Sequence, residues 1–286
     1  DAGGRLPARV NVMPFRRVDG VPTPIPLPEM HVSPMLRVDT VKFLADGGLS
    51  GATAALSVPY RHADTRGVLR FDRAELEALC RESHDAGWRI ATHAIGDVTI
   101  DQILDIYEAL GPHPKGWGHR IEHFGLPSAA QLARAARLGV IAVPQSIFLR
   151  ELGRNFREYL PDVLMPRCYP LRAMLDAGVT VALSSDAPVV ENDNPLAGMT
   201  AAILRQDRRG EALLPEQAIT AAEALDAYTR GSAVSVGLEG TLGTLKRGAW
   251  ADIAVLSGNP LTTAPEALPS LSVEMTLLAG RVVYER

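Results

Sequence analysis

The chain has 286 residues, 47% of them hydrophobic and 22% charged, an ordinary globular composition that excludes disordered, collagen-like and mucin-like chains. Its 29 Lys+Arg against 33 Asp+Glu leave a formal charge of −4. Like charges form no long run, so neither nucleic acid nor an anionic membrane surface is an expected partner. The two cysteines, Cys80 and Cys168, make no CxxC pair, which gives no disulfide framework or thiolate zinc site and points to a reducing, cytoplasmic location. No apolar run approaches the roughly 18 residues of a membrane span, and the first residues lack a signal-peptide pattern. A start at Asp1 without an initiator Met suggests a processed, cloned or truncated product.

In chain order, ARVNVMPF (8–15) is predicted as a short buried strand. Pro22, Pro24, Pro26 and Pro28 then impose an extended path without ladder donors, as a surface connection or as a lid over a site. VDTVKFLAD (38–46) is predicted as a strand. Asp72 and Glu75 form a capping box opening a helix that Gly87 ends. RIATHAI (89–95) is a strand, followed by a helix from about Val98 to Leu110 with Asp97 as its N-cap. HRIEHFG (119–125) is a strand, SAAQLARAARLG (128–139) a helix and GVIAVPQ (139–145) a strand. PLRAMLDAG (170–178) is a helix, VTVALSSDAP (179–188) a strand, and a helix follows Pro195. Residues 46–71 and 145–168 are left as loops whose shape no pattern fixes. Repeated strand–helix units imply parallel strands in a barrel or a doubly wound sheet. No GxGxxG or GxxxxGK[ST] follows any strand, which disfavours nucleotide binding. After Thr229 the period becomes two. ADIAVLS (251–257) and the pair VEMTLL/RVVYER around Ala279–Gly280 predict a small antiparallel sheet with a hairpin, in a second, β-rich subdomain from about residue 232.

Polar residues interrupt the apolar strands at Lys42, His93, His123 and Asp186, each at or near the C-terminal end of a predicted parallel strand, where βα loops converge on active sites. Taken singly, each histidine reads as a hydrogen-bonded core residue, Asp186 as a turn or cap residue and Lys42 as a snorkelling edge lysine. Their coincidence at four strand ends favours one pocket. Imidazoles and a carboxylate suit a zinc-like divalent ion with a position left for water. An ammonium has no lone pair, but burial favours the neutral amine, which can add carbon dioxide to give an anionic carbamate ligand. His31, His62, His84, His113 and His119 are read as structural. Arg120 and Glu122 are placed by alternation opposite His123, as an ion pair against the outer helices. A substrate contact from Asp97 ranks behind its capping role.

VKFLADGGLSGATAAL, THAIGD, HRIEHFG, LDAGVTVALSSDAPV with NPL, GTLGTLKRGAWADIAVLSGNPL and TLLAGRVVY together resemble the metal-dependent amidohydrolase superfamily, in its YtcJ-like, N-substituted formamide deformylase-like branch. The resemblance runs in order over nearly all the chain. It implies an α/β fold, a (β/α)8 TIM-type barrel lacking its first strands, with part of a small β-sandwich: residues 1–231 for about strands three to eight of the barrel and 232–286 for the sandwich portion. It also implies hydrolysis of a small-molecule linear amide or formamide. Lys42 resembles the carboxylated lysine of barrel strand four, His93 and His123 the histidine ligands of strands five and six, and Asp186 the strand-eight aspartate that binds metal and shuttles a proton. The family's strand-one HxH pair is absent from the 286 residues. One or two zinc ions are implied for the complete enzyme, and a single-metal or metal-free state is expected for this chain by itself. Completion by a missing N-terminal segment or by homo-oligomerisation is expected. Two alternatives stay open: a catalytically silent barrel fragment acting as a binding or complementation module, and a cyclic-amidine deaminase.

Overall fold

A computed structural model describes residues 6–18, 21 and 23–286. Near the N-terminus, β1 (Val10–Asn11), β2 (His31–Val32) and β3 (Leu36–Val38) form a small sheet in the order β1-β3-β2. The predicted buried strand over 8–15 is thus a short, largely exposed one. Pro14–Arg16 continues it alongside β4 (Thr40–Leu44): Lys42 N–H donates to Pro14 O at 2.9 Å and Arg16 N–H to Lys42 O at 3.0 Å. Pro22 lies outside the described residues. Residues 23–30 form no strand, and Leu27 and Met30 pack on the main core, as a surface connection does.

The central sheet is parallel, in the order β4, β5 (Arg89–Ala94), β6 (Arg120–His123), β7 (Ile141–Val143) and β8 (Thr180–Val181). Helices α1 (Arg73–Asp85), α2 (Asp97–Leu110) and α3 (Ala129–Arg137) cross between the first four. Asp72 caps α1 by accepting from Ala74 N–H at 2.9 Å, while the Glu75 carboxylate pairs with Arg17 instead of closing a capping box. Ser128 and Gln131 do form a capping box on α3. At α2 the predicted N-cap is corrected: Gly96 holds that position and Asp97 is already in the first turn, its carboxylate accepting from the Ser57 amide and hydroxyl.

Residues paired side by side in a parallel sheet share a face. The pairs Lys42↔Ala91, Ala91↔Arg120 and His93↔Glu122 therefore put Lys42, His93, Arg120 and Glu122 together. The opposite face carries Val41, Phe43, Ile90 and Ile121, which are fully buried against Leu76, Ile100, Ile103 and Leu132 of the helices. The expectation that Arg120 and Glu122 meet the outer helices is overturned, because those helices already contact the apolar face. The ion pair itself exists, bidentate at 2.8 and 2.9 Å, on the same side as Lys42.

Beyond β7, the segment expected to be a loop contains α4 (Ile147–Tyr159), and α5 (Leu171–Asp176) precedes β8. The strand predicted over 179–188 shortens to Thr180–Val181. Asn194 caps α6 (Pro195–Leu204), and α7 (Ala221–Asp226) and α8 (Ser232–Ser235) flank a π-helical turn. The C-terminal strands β9 (Ile253–Leu256), β10 (Val273–Leu278) and β11 (Arg281–Glu285) make the expected antiparallel sheet. Its hairpin turns at Ala279 (φ +51°) and Gly280 (φ +78°), the two positive φ values of a type I′ turn. Arg9 ties this sheet to the N-terminal one through Asp252, at 2.5 and 2.9 Å.

At the N-terminal end of β6, His84, His113 and His119 are buried with ring centroids 5.3–5.5 Å apart. His119 Nδ1 accepts from Ile90 N–H, and its Nε2 faces His84 Nδ1 at 3.0 Å. Burial lowers the pKa of all three, His113 to about 4. Their folded pKa values lie below the unfolded value near 6.5, so the unfolded chain binds more protons in acid and stability is lost as pH falls. The urea midpoint is expected to hold from about pH 8 to about 6.5 and to drop steadily toward about pH 4. His113→Gln should remove part of that slope, and a flat midpoint through this range would refute the assignment.

Candidate active site

Lys42, His93, His123 and Asp186, spread over the sequence, line one cavity of about 510 Å³ at the C-terminal side of the sheet. Lys42 enters from β4 and His93 from β5, by the register already given. Strict alternation would send His123 to the helix side with Ile121. Instead the strand ends there: His123 has φ +70° and Phe124 φ +48°, which swings the imidazole to a ring centroid 4.3 Å from that of His93. Asp186 stands beyond the last paired residue of β8, in a left-handed conformation (φ +56°), and is exposed at the cavity mouth.

Each histidine is held by one ring nitrogen. His93 Nε2 lies 3.0 Å from Gly47 O and 3.2 Å from an Asp46 oxygen, two acceptors that place the proton on Nε2 and leave the Nδ1 lone pair. His123 Nδ1 donates to Gln145 Oε1 at 2.6 Å, leaving Nε2, and the Gln145 amide donates in turn to Val143 O and Ser184 Oγ. Orientation of this kind by an outer oxygen is how metal-ligating histidines are commonly fixed. Burial, with His93 and Lys42 alongside, holds the His123 pKa well below the usual range, so its ring is neutral. Burial also lowers Lys42, opposed by the Glu122 carboxylate. Burial pushes Glu122 up, but Arg120 and Lys42 more than offset it and keep it ionised.

Among the described residues no three His, Cys, Asp or Glu side chains gather closely enough to hold a metal ion. The ring nitrogens left free, Nδ1 of His93 and Nε2 of His123 on rings whose centroids are 4.3 Å apart, are donors of the type a divalent ion takes. Asp97, ranked second for substrate contact, is not among the residues lining this cavity.

Two contributors escaped the sequence reading. Asp46, 1% exposed, accepts from the amides of Ala55, Ile95 and Gly96 and from the Thr99 hydroxyl at 2.8–3.1 Å while facing His93. An aspartate before Gly-Gly carries a turn signal, which hid this role. Helix α4 supplies Phe148, Leu152 and Phe156 to the cavity, and their spacing of four was the legible sign.

This is an α/β chain with its cavity at the C-terminal ends of a parallel sheet, the position where such folds carry their sites. The Amidohydrolase family matches residues 1–284, and the chain belongs to that family. A Bacillus subtilis protein named as the amidohydrolase YtcJ is 31% identical over 257 residues, covering 88% of this chain. The N-substituted formamide deformylase of Arthrobacter pascens is 32% identical over 225 residues, covering 76%. Both lie on the branch to which the motifs pointed. The chain spans 48% and 40% of the lengths of these two relatives. The crystal structure of an uncharacterized metal-dependent hydrolase from Pyrococcus horikoshii superposes with a TM-score of 0.75 at 29% identity, over 83% of this chain and 48% of that one. Among the described residues no helix is long and apolar enough to cross a membrane.

Asp46→Ala leaves three buried amides and a hydroxyl without their acceptor. At about 1–3 kcal/mol for each unsatisfied group, a loss of at least about 3 kcal/mol is expected in urea denaturation, and a change below about 1 kcal/mol would contradict the role given to this carboxylate.

Proposed function

We propose that the protein hydrolyses the C–N bond of a linear amide or formamide with the help of a divalent metal, zinc by the chemistry of its nitrogen donors. The observation that carries this reading is the convergence of Lys42, His93, His123 and Asp186 on one cavity. Membership of the amidohydrolase family and the metal-dependent hydrolase resemblance support it. In the reading, His93 through Nδ1, His123 through Nε2 and Lys42 as a carbamate hold the ion. A bound ion would supply Lewis acidity at the scissile carbonyl and make water a better nucleophile near neutral pH.

The remaining steps belong to the chain's own residues. Water adds through its oxygen to the carbonyl carbon, and its proton passes to a carboxylate oxygen of Asp186. Asp186 then gives that proton to the nitrogen as the C–N bond breaks, releasing amine and carboxylic acid. Gln145 keeps the His123 proton on Nδ1, so the ring offers Nε2 throughout. The TIM-type barrel is the architecture proposed for the complete sheet, with residues 1–231 as its portion and 232–286 as part of a sandwich. A cytoplasmic small-molecule amidase is the corresponding cellular assignment.

A second reading, completion by another polypeptide, is favoured by one observation: among the described residues β8 pairs with β7 alone. A sedimentation measurement distinguishes a monomer from an assembly completed in this way.

In the full-length gene product, elemental analysis is expected to find a stoichiometric divalent ion, and Asp186→Asn to lower kcat by at least about 100-fold. Absence of the ion together with unchanged hydrolysis by the variant would sink the mechanism.

A further inference from the structure

We propose that the stripe Phe148, Leu152 and Phe156 of α4, with Phe15, Leu49 and Val189, forms an apolar subsite that selects amides bearing an uncharged, hydrophobic substituent. The inference rests on the amide-hydrolase reading of the same cavity. Helix α4 begins directly after Gln145 and Ser146, so the residue that orients His123 stands next to its first turn. Residues four apart on a helix stand on one face, and this face meets the cavity.

Aromatic packing holds the wall. The Phe148 ring stacks on His123 (centroids 6.1 Å, 22° between planes) and meets Tyr169 edge-on at 6.4 Å, while Phe156 stacks on Tyr169 at 5.7 Å. Phe148 and Phe156 are buried, whereas Phe15 and Val189 are 42% and 63% exposed at the rim. Among the described residues, and apart from the four site residues, the lining carries no charged side chain, and Ser50 and Tyr169 are its other polar side chains. A charged substituent laid against the α4 wall would lose its water, and that wall offers it no partner. An apolar one gains affinity with each methylene it buries, about fourfold per CH2, against a wall that needs no rearrangement.

The test uses the full-length protein with N-ethyl-, N-butyl- and N-hexylformamide and the chain-length-matched N-(5-carboxypentyl)formamide, measuring Kd by calorimetry and hydrolysis in parallel. Kd is expected to fall about threefold to fourfold per methylene, with kcat/KM rising in step, and the carboxylate analogue to bind at least about 10-fold more weakly than the hexyl compound. Leu152→Ser should flatten the series. Val189→Asp, at an exposed position where folding is not at stake, should weaken N-hexylformamide and strengthen N-(5-aminopentyl)formamide. Kd values independent of chain length, or equal binding of the carboxylate analogue, overturn the subsite. Chain-length-dependent binding without hydrolysis of any amide would leave the subsite standing and remove the hydrolase reading. Equal hydrolysis of all four would do the reverse.

Discussion

The site depends on a buried charge. Asp46 carries its carboxylate into the interior, where an unpaired ion is costly and a hydrogen-bonded one is tolerated. Its oxygens accept from Ala55, Ile95, Gly96 and Thr99 and face His93. Satisfying that one group draws the loop after β4, the end of β5 and the first turn of α2 to a single point. The approach is so close that a Cβ on Gly96 would lie 1.9 Å from Ala55 O, which only glycine permits. The orientation of the His93 ring, and hence which nitrogen stays free, follows from this packing.

Around that point the sheet divides its work between its two faces. Val41, Phe43, Ile90 and Ile121 bury against the crossover helices, and their removal from water supplies stability. The other face carries Lys42, His93, Arg120 and Glu122 by register. The Arg120–Glu122 pair keeps Glu122 ionised beside Lys42, while burial drives the lysine toward its neutral form. The two effects act on Lys42 in opposite directions, and burial is the larger. Asp186 and the α4 stripe meet the same space from outside the paired strands.

Local pattern made much of the fold legible. Apolar runs marked β4 to β7, Ser128 opened α3, and Ala279–Gly280 closed the terminal hairpin, because each signal lies within a few residues of the structure it causes. The side of the sheet occupied by Arg120 and Glu122 was not legible from alternation. Period two shows that these residues share a face with each other, but which face is decided by the pairing with His93 and Ala91. His123 defeated the same rule through its positive φ, set by the chain's exit from β6 toward Gly125, where a Cβ would meet Ile95 at 2.9 Å. Asp97 and Gly96 differ by one step in the helix start: the Asp97 carboxylate is taken by Ser57, while Asp46 accepts from the Gly96 amide and the Thr99 hydroxyl of the first turn.

By itself the sequence determined the family, the order of the parallel strands with α1 to α3 between them, and the four residues on which the proposed chemistry rests. Those features are carried by residue identity and short-range periodicity. Only the tertiary structure decided that Lys42, His93, His123 and Asp186 share one cavity, which ring nitrogen of each histidine is free, and that α4 forms an apolar wall beside them. These outcomes depend on strand register, left-handed turns and a buried carboxylate, each fixed by partners far away along the chain.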